Sequence, residues 1–196
     1  MDSSPSRKEI THERILATAA RAIRRGGFHG VGVADIMKEA GLTHGGFYAH
    51  FSSRNALLAE ALERAGQDSA QRVAQATTAR QARGASALRA LVEGYLSDRH
   101  LGEFEAGCPV AALASEMPRQ SPEVREASAQ RVRDLVAAVR RALPKDAPMD
   151  SAPAIASQLV GALQLARALG DHAEGQALLK ASRRALLAQY DHPQPD

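Results

Sequence analysis

Apolar residues in this chain recur at intervals of three and four, and no stretch alternates with period two over six residues. Such spacing lines one face of a helix and scatters over both faces of a strand. The chain is therefore read as all-α. A first helix is expected at about residues 8–25, where Ile15, Leu16, Ala19, Ala20 and Ile23 form one stripe and Gly26-Gly27 ends it. A short second helix at about 33–40 has Val33, Ile36, Met37 and Ala40 on one face and stops at Gly41. Thr43 can cap a third, at about 44–50, which pairs Phe47 with Phe51 at i, i+4. Ser53 can cap a fourth, whose face is Leu57, Leu58, Ala61, Leu62 and Ala65. That fourth helix is expected to run over about 54–80, and further helices near 85–101, 107–117, 122–143, 151–169 and 174–190, about nine in all. The breaks are Gly84, Gly102, Pro118 with Pro122, Pro144 to Pro148, and Gly170.

Several function classes are excluded early. No run of 18 apolar residues exists, so no membrane helix is expected. Residues 1–9 are polar and lack the apolar core of a secretion signal, which leads to the expectation of a cytoplasmic protein. Cys108 is the single cysteine, so no internal disulfide forms. Cys108 with His100 can be imagined as nucleophile and base, but no third group orients them. His44 and His50 lie six positions apart on a helix and face different ways, unlike metal ligands. No catalytic residue, metal site or cofactor is expected. The charge is informative by its placement. Residues 1–54 hold eight Lys/Arg against five Asp/Glu, and the remaining 142 residues hold 17 of each sign. The whole surplus sits in the first quarter, where it suits a phosphate partner.

Two short helices joined by a tight Gly-containing turn make a helix-turn-helix signature, here at 32–51 with the turn Gly41-Leu42-Thr43. The second helix of such a unit enters the major groove N-terminus first. That helix contains Gly45-Gly46, and each glycine costs about 1 kcal/mol against alanine in a helix interior. Missing side chains there let a phosphodiester backbone come close. Arg54 breaks a second local rule, since a cation in a first helical turn opposes the helix dipole. A bound phosphate explains it.

The run Gly27-Phe28-His29-Gly30-Val31-Gly32-Val33-Ala34-Asp35-Ile36, then Ala40-Gly41-Leu42-Thr43, then Gly45-Gly46-Phe47-Tyr48-Ala49-His50-Phe51-Ser52-Ser53-Arg54, resembles the N-terminal domain of TetR/AcrR-family regulators. The match covers about residues 8–62. The resemblance implies a DNA-binding domain at 1–53 and a helical ligand-binding and dimerisation domain at 54–190; the Pro-rich composition at the end leads to the expectation of a disordered tail at 191–196. The resemblance also implies a homodimer that binds a near-palindromic double-stranded operator and is released by a small-molecule inducer. Carried over by position, Thr43, His44, Gly45 and Gly46 lie at the groove-facing start of the recognition helix. Tyr48 and His50 contact phosphate or base edges, and Arg54 takes a phosphate. The family usually has Ser or Thr before the second helix. Here Gly32 stands there, so the contact falls to the Gly32 and Val33 amides.

The C-terminal part carries less. By position in the family, 151–169 and 174–190 dimerise as a four-helix bundle. Ile155, Leu159, Leu163, Ala166 and Leu169 make one face of the first, with Gly161, Ala162 and Ala168 elsewhere. Leu178, Leu179, Leu186, Leu187 and Tyr190 are too widely spread for one stripe, as expected of a helix with two partners. Ligand-contact candidates are Tyr95, His100, Cys108, Met117, Gln164 and Arg167. Cys108 opens a segment resembling the pocket helix of those relatives with a Gly-Cys pair, some of which sense electrophiles or oxidants. It is either such a sensor or a small buried apolar residue.

Overall fold

The computed structural model describes residues 5–191. Nine α-helices and two 3-10 helices account for its regular structure among these residues, with no strand. Most of the tail expected at 191–196 lies outside the described residues. The chain divides into two compact units, residues 5–68 with 108–131 and residues 69–107 with 132–191.

In the first unit, α1 (Arg7–Gly26) starts at a capping box. The Ser6 hydroxyl accepts from the Glu9 amide at 3.3 Å, and the Glu9 carboxylate accepts from the Ser6 amide at 2.6 Å. Gly27 ends the helix at φ 75°, a left-handed value that favours glycine. The adjoining space is also taken, because a Cβ on Gly27 would sit 2.3 Å from Glu116 Oε1. The Glu116 carboxylate accepts from the Phe28 amide at 3.0 Å, fixing the exit of α1. Next come α2 (Val33–Glu39), the 3-10 helix His44–Ala49 and α3 (Arg54–Gln81). Ser53 caps α3, its Oγ accepting from the Ala56 amide at 3.0 Å. The stripe Ile15, Leu16, Ala19 and Ile23 packs with Phe28, Ile36, Met37, Phe47, Phe51 and the Leu57–Leu62 face into one core. Leu113, Met117 and Val124 complete it. Leu113 ends α6 (Pro109–Leu113), and Met117 opens the 3-10 helix Met117–Arg119.

The second unit begins with the C-terminal part of α3 and continues with α4 (Ala87–Tyr95) and α5 (Asp98–Gly102). One helix was expected over 85–101. It breaks at Leu96 because Ser97 caps a new start: its hydroxyl accepts from the His100 amide at 3.2 Å and donates to the Gly94 carbonyl at 2.9 Å. The helix expected at 107–117 shortens to α6, since Cys108 is an extended N-cap and Pro109 the first helical residue. α7 (Pro122–Ala142) carries residues of both units, as does α3. α8 (Ser151–Leu169) and α9 (Ala173–Tyr190) follow and pack against each other; Ile155, Leu159, Leu163 and Ala166 of α8 and Leu179 and Leu186 of α9 are buried. Leu169, expected on that buried face, is exposed, as is Leu165. Gly175 makes the close turn from α8 possible, because a Cβ there would lie 2.1 Å from the Gly170 carbonyl. No helix among the described residues is long and apolar enough to cross a membrane.

Candidate nucleic-acid interface

The two phenylalanines of the 3-10 helix region face inward. Phe47 and Phe51 are buried and stack at 5.7 Å between ring centroids. That fixes which side of His44–Ala49 looks outward. Thr43, His44 and Gly45 are exposed at its start, and Tyr48 is 73% exposed. Its ring meets Phe47 edge-on at 5.1 Å and otherwise faces outward. The element is a 3-10 helix where an α-helix was expected. Two successive glycines weaken α-helical propagation, and Thr43 provides no side-chain cap.

Neither glycine is required by the fold. Neither has a positive φ. A Cβ on Gly45 would meet nothing within 4 Å, and one on Gly46 would rest 3.7 Å from Met37 Cε, an ordinary contact. Space at Gly45 is therefore open toward the outside. Gly32 is an extended N-cap with no side-chain bond, leaving the first α2 amides, Val33 among them, without a hydroxyl partner. His50 is half-buried, tilted against His12 at 6.1 Å, with Nδ1 buried and unbonded. Burial and then the nearby His12 and Lys8 charges hold it below the ordinary histidine value. His12 itself stacks on Phe51 at 4.6 Å and bonds Glu60 at 3.0 Å.

Arg54 is half-buried and its Nη2 donates to the Phe28 carbonyl and, at 3.3 Å, to the Val31 carbonyl. The α1–α2 connection is thus pinned by the first residue of α3. This internal use of Arg54 was not visible in the sequence.

The ligand-contact candidates are dispersed. The second unit holds a cavity of about 510 Å³ between the C-terminal half of α3, α4 and α5, and Tyr95 and His100 line it. Burial pushes His100 down to about 4, the Tyr95 carbonyl at 2.7 Å opposing this and the Arg167 charge adding to it. Arg167 lies outside the lining but holds the wall, donating to the His100 carbonyl at 2.8 Å and the Glu103 carbonyl at 3.2 Å. Gln164 is half-buried on α8, also outside the lining. Met117 is a core residue of the first unit, and Cys108 is buried in that unit too. Among the described residues no three His, Cys, Asp or Glu side chains gather as metal ligands would.

Comparison with known proteins agrees with this geometry. The profile of bacterial regulatory proteins of the tetR family matches residues 15–61, and that of the tetracyclin repressor-like C-terminal domain matches residues 84–182. The HTH-type transcriptional regulator Rv0196 of Mycobacterium tuberculosis is 31% identical over 188 residues, covering 90% of this chain and 94% of its own. LmrA of Bacillus subtilis, also an HTH-type transcriptional regulator, is 27% identical over 154 residues, covering 78% of this chain and 81% of its own. The reduced form of Escherichia coli NemR shares the fold with a TM-score of 0.73 at 22% identity, over 90% of this chain and 95% of that one. A TetR regulator of Chloroflexus aurantiacus does so with the same TM-score and identity, over 93% and 96%. The chain belongs to the TetR family of bacterial regulatory proteins, transcriptional regulators that bind DNA through a helix-turn-helix and are not enzymes.

Proposed function

We propose that the chain is a ligand-responsive repressor, active in the cytoplasm as a homodimer on a near-palindromic operator. The observation that carries this reading is the outward face of His44–Ala49. Thr43, His44, Gly45 and Tyr48 are open there, while Phe47 and Phe51 lock the element from behind. In the bound state His44 and Thr43 reach base edges, Tyr48 and His50 reach phosphate or base edges, and the Gly32 and Val33 amides take a phosphate. Gly45 and Gly46 let the DNA backbone approach. Arg54 uses Nη2 internally and has Nη1 and Nε donors left for a phosphate.

Dimerisation through α8 and α9 is supported by what their outer faces carry. Leu165 and Leu169 are exposed, Gly161 has open space above it, and Ala177, Ala181, Ala185 and Ala188 are exposed along α9. Small side chains allow close helix approach, and exposed leucines reward it. An inducer held in the second unit favours a dimer whose recognition helices are no longer one DNA turn, about 34–36 Å, apart.

Mobility-shift titration of the purified protein on its own upstream intergenic DNA tests the reading. A specific complex that weakens with salt, from a protein of dimer mass, is the expected result. A folded monomer, or a shift equal to that of unrelated competitor DNA, contradicts it.

A further inference from the structure

The cavity of the second unit has a charge of its own. Three arginines line it, Arg72 and Arg80 from α3 and Arg99 from α5, against one carboxylate, Glu103. Arg99 is spent on Glu103 at 2.7 Å. Arg72 fastens the wall with one bond from Nη1 to the Ala106 carbonyl at 2.5 Å and keeps its other donors. Arg80 uses Nη1 on the Ala76 carbonyl at 3.2 Å, and its Nε stands 4.0 Å from Glu93. Burial keeps His100 neutral near pH 7, so it adds an imidazole surface without charge. Leu91 and Tyr95 on α4 are buried and provide the apolar side of the same space.

Resting on the reading of this unit as a small-molecule sensor, we propose that the cavity takes an organic anion, an apolar ring or chain carrying one acidic head group. A volume of about 510 Å³ lies within the ordinary range for small-molecule sites. The head group is a carboxylate, sulfonate or phosphate, forms that share planar or fan-shaped acceptors an arginine pairs with two at a time. It sits between Arg72 and Arg80, two turns apart on one face of α3 and long enough in side chain to converge on it. The apolar body lies over Leu91 and Tyr95. A neutral ligand of the same shape offers the remaining donors of Arg72 and Arg80 no charged acceptor, which selects against it.

A matched pair of fluorescent probes isolates the charge. 8-Anilinonaphthalene-1-sulfonate and N-phenyl-1-naphthylamine differ by the sulfonate alone. Both are titrated into the full chain without DNA. The sulfonate is expected to bind at least roughly tenfold more tightly. Arg72→Gln and Arg80→Gln should each weaken it about five- to tenfold and leave the neutral probe unchanged. Arg184→Gln, on the exposed surface of α9 outside this cavity, should change neither. Gly94→Leu should weaken both probes, because a side chain there grows from a Cβ 3.5 Å from Arg80 Nη1. Equal affinities with no response to the arginine variants overturn the anion class. Sulfonate binding that ignores Gly94→Leu overturns the cavity as its site, and so does the absence of saturable binding. Operator binding is read in a separate assay, so the regulator reading can stand where this proposal falls.

Discussion

Replacing Gly45 by alanine should move stability and DNA affinity in opposite directions. The glycine has no positive φ, and an added methyl group meets nothing within 4 Å. The folded chain therefore accepts alanine without strain, while the unfolded chain loses freedom. That stabilises the protein by about 0.4–1 kcal/mol. On DNA the same methyl projects from the groove-facing start of the recognition helix into space the phosphodiester backbone needs. Forced overpacking costs about 1–3 kcal/mol, or roughly five- to 150-fold in affinity. Urea unfolding followed by circular dichroism reads the first quantity, and fluorescence anisotropy on a labelled operator at fixed salt reads the second. Gly46→Ala should likewise leave the fold intact, since its methyl group rests on Met37 Cε at 3.7 Å. If Gly45→Ala is destabilised, the glycine serves the fold and the argument from open space fails. If it is stabilised and still binds operator like wild type, DNA does not approach there.

Arg54→Ala removes the bonds to the Phe28 and Val31 carbonyls and should cost about 1–3 kcal/mol in unfolding, with the salt slope of DNA binding falling by about one per protomer. Arg54→Lys should keep the slope and lose stability; an unchanged slope in Arg54→Ala would make the residue purely internal. His100 titrates near 4 in the fold against 6.5 as its ordinary value, so the unfolded chain binds the extra proton as pH falls between those values. Stability should therefore drop by about 2 kcal/mol from about pH 7.5 to about pH 5, and His100→Gln should lose that part of the dependence in urea titrations at the two pH values. Cys108 is buried, so iodoacetamide should label it more slowly in the folded chain than in urea. A folded rate above that of free cysteine would favour the electrophile-sensor reading.

What the sequence made legible depended on whether local rules acted alone. The α1 stripe, the Gly27 stop and the extent of α8 followed from periodicity and punctuation, and the structure holds them at nearly the expected residues. The inward Phe47 and Phe51 were readable for the same reason. The break at Leu96 was not, because Ser97 competes for backbone bonds inside a segment whose apolar period runs on. The binding use of a residue was harder still. Met117 has the chemistry of a ligand contact and packs in the first unit's core instead. Arg54 carries a charge that suggests phosphate, yet its closest partners are two backbone carbonyls far away in sequence. Arg72 and Arg80 lie on α3 and Arg99 on α5, distant in sequence, and only the fold brings them around one cavity.

Sequence-specific DNA binding by the His44–Ala49 face is tested most directly by selecting bound duplexes from a random DNA library with the wild-type protein. Enrichment of one near-palindromic sequence is expected, with half-sites centred about one helical turn, roughly 10 base pairs, apart. A folded dimer that enriches no sequence would contradict such binding, since the open face of His44–Ala49 would then read nothing.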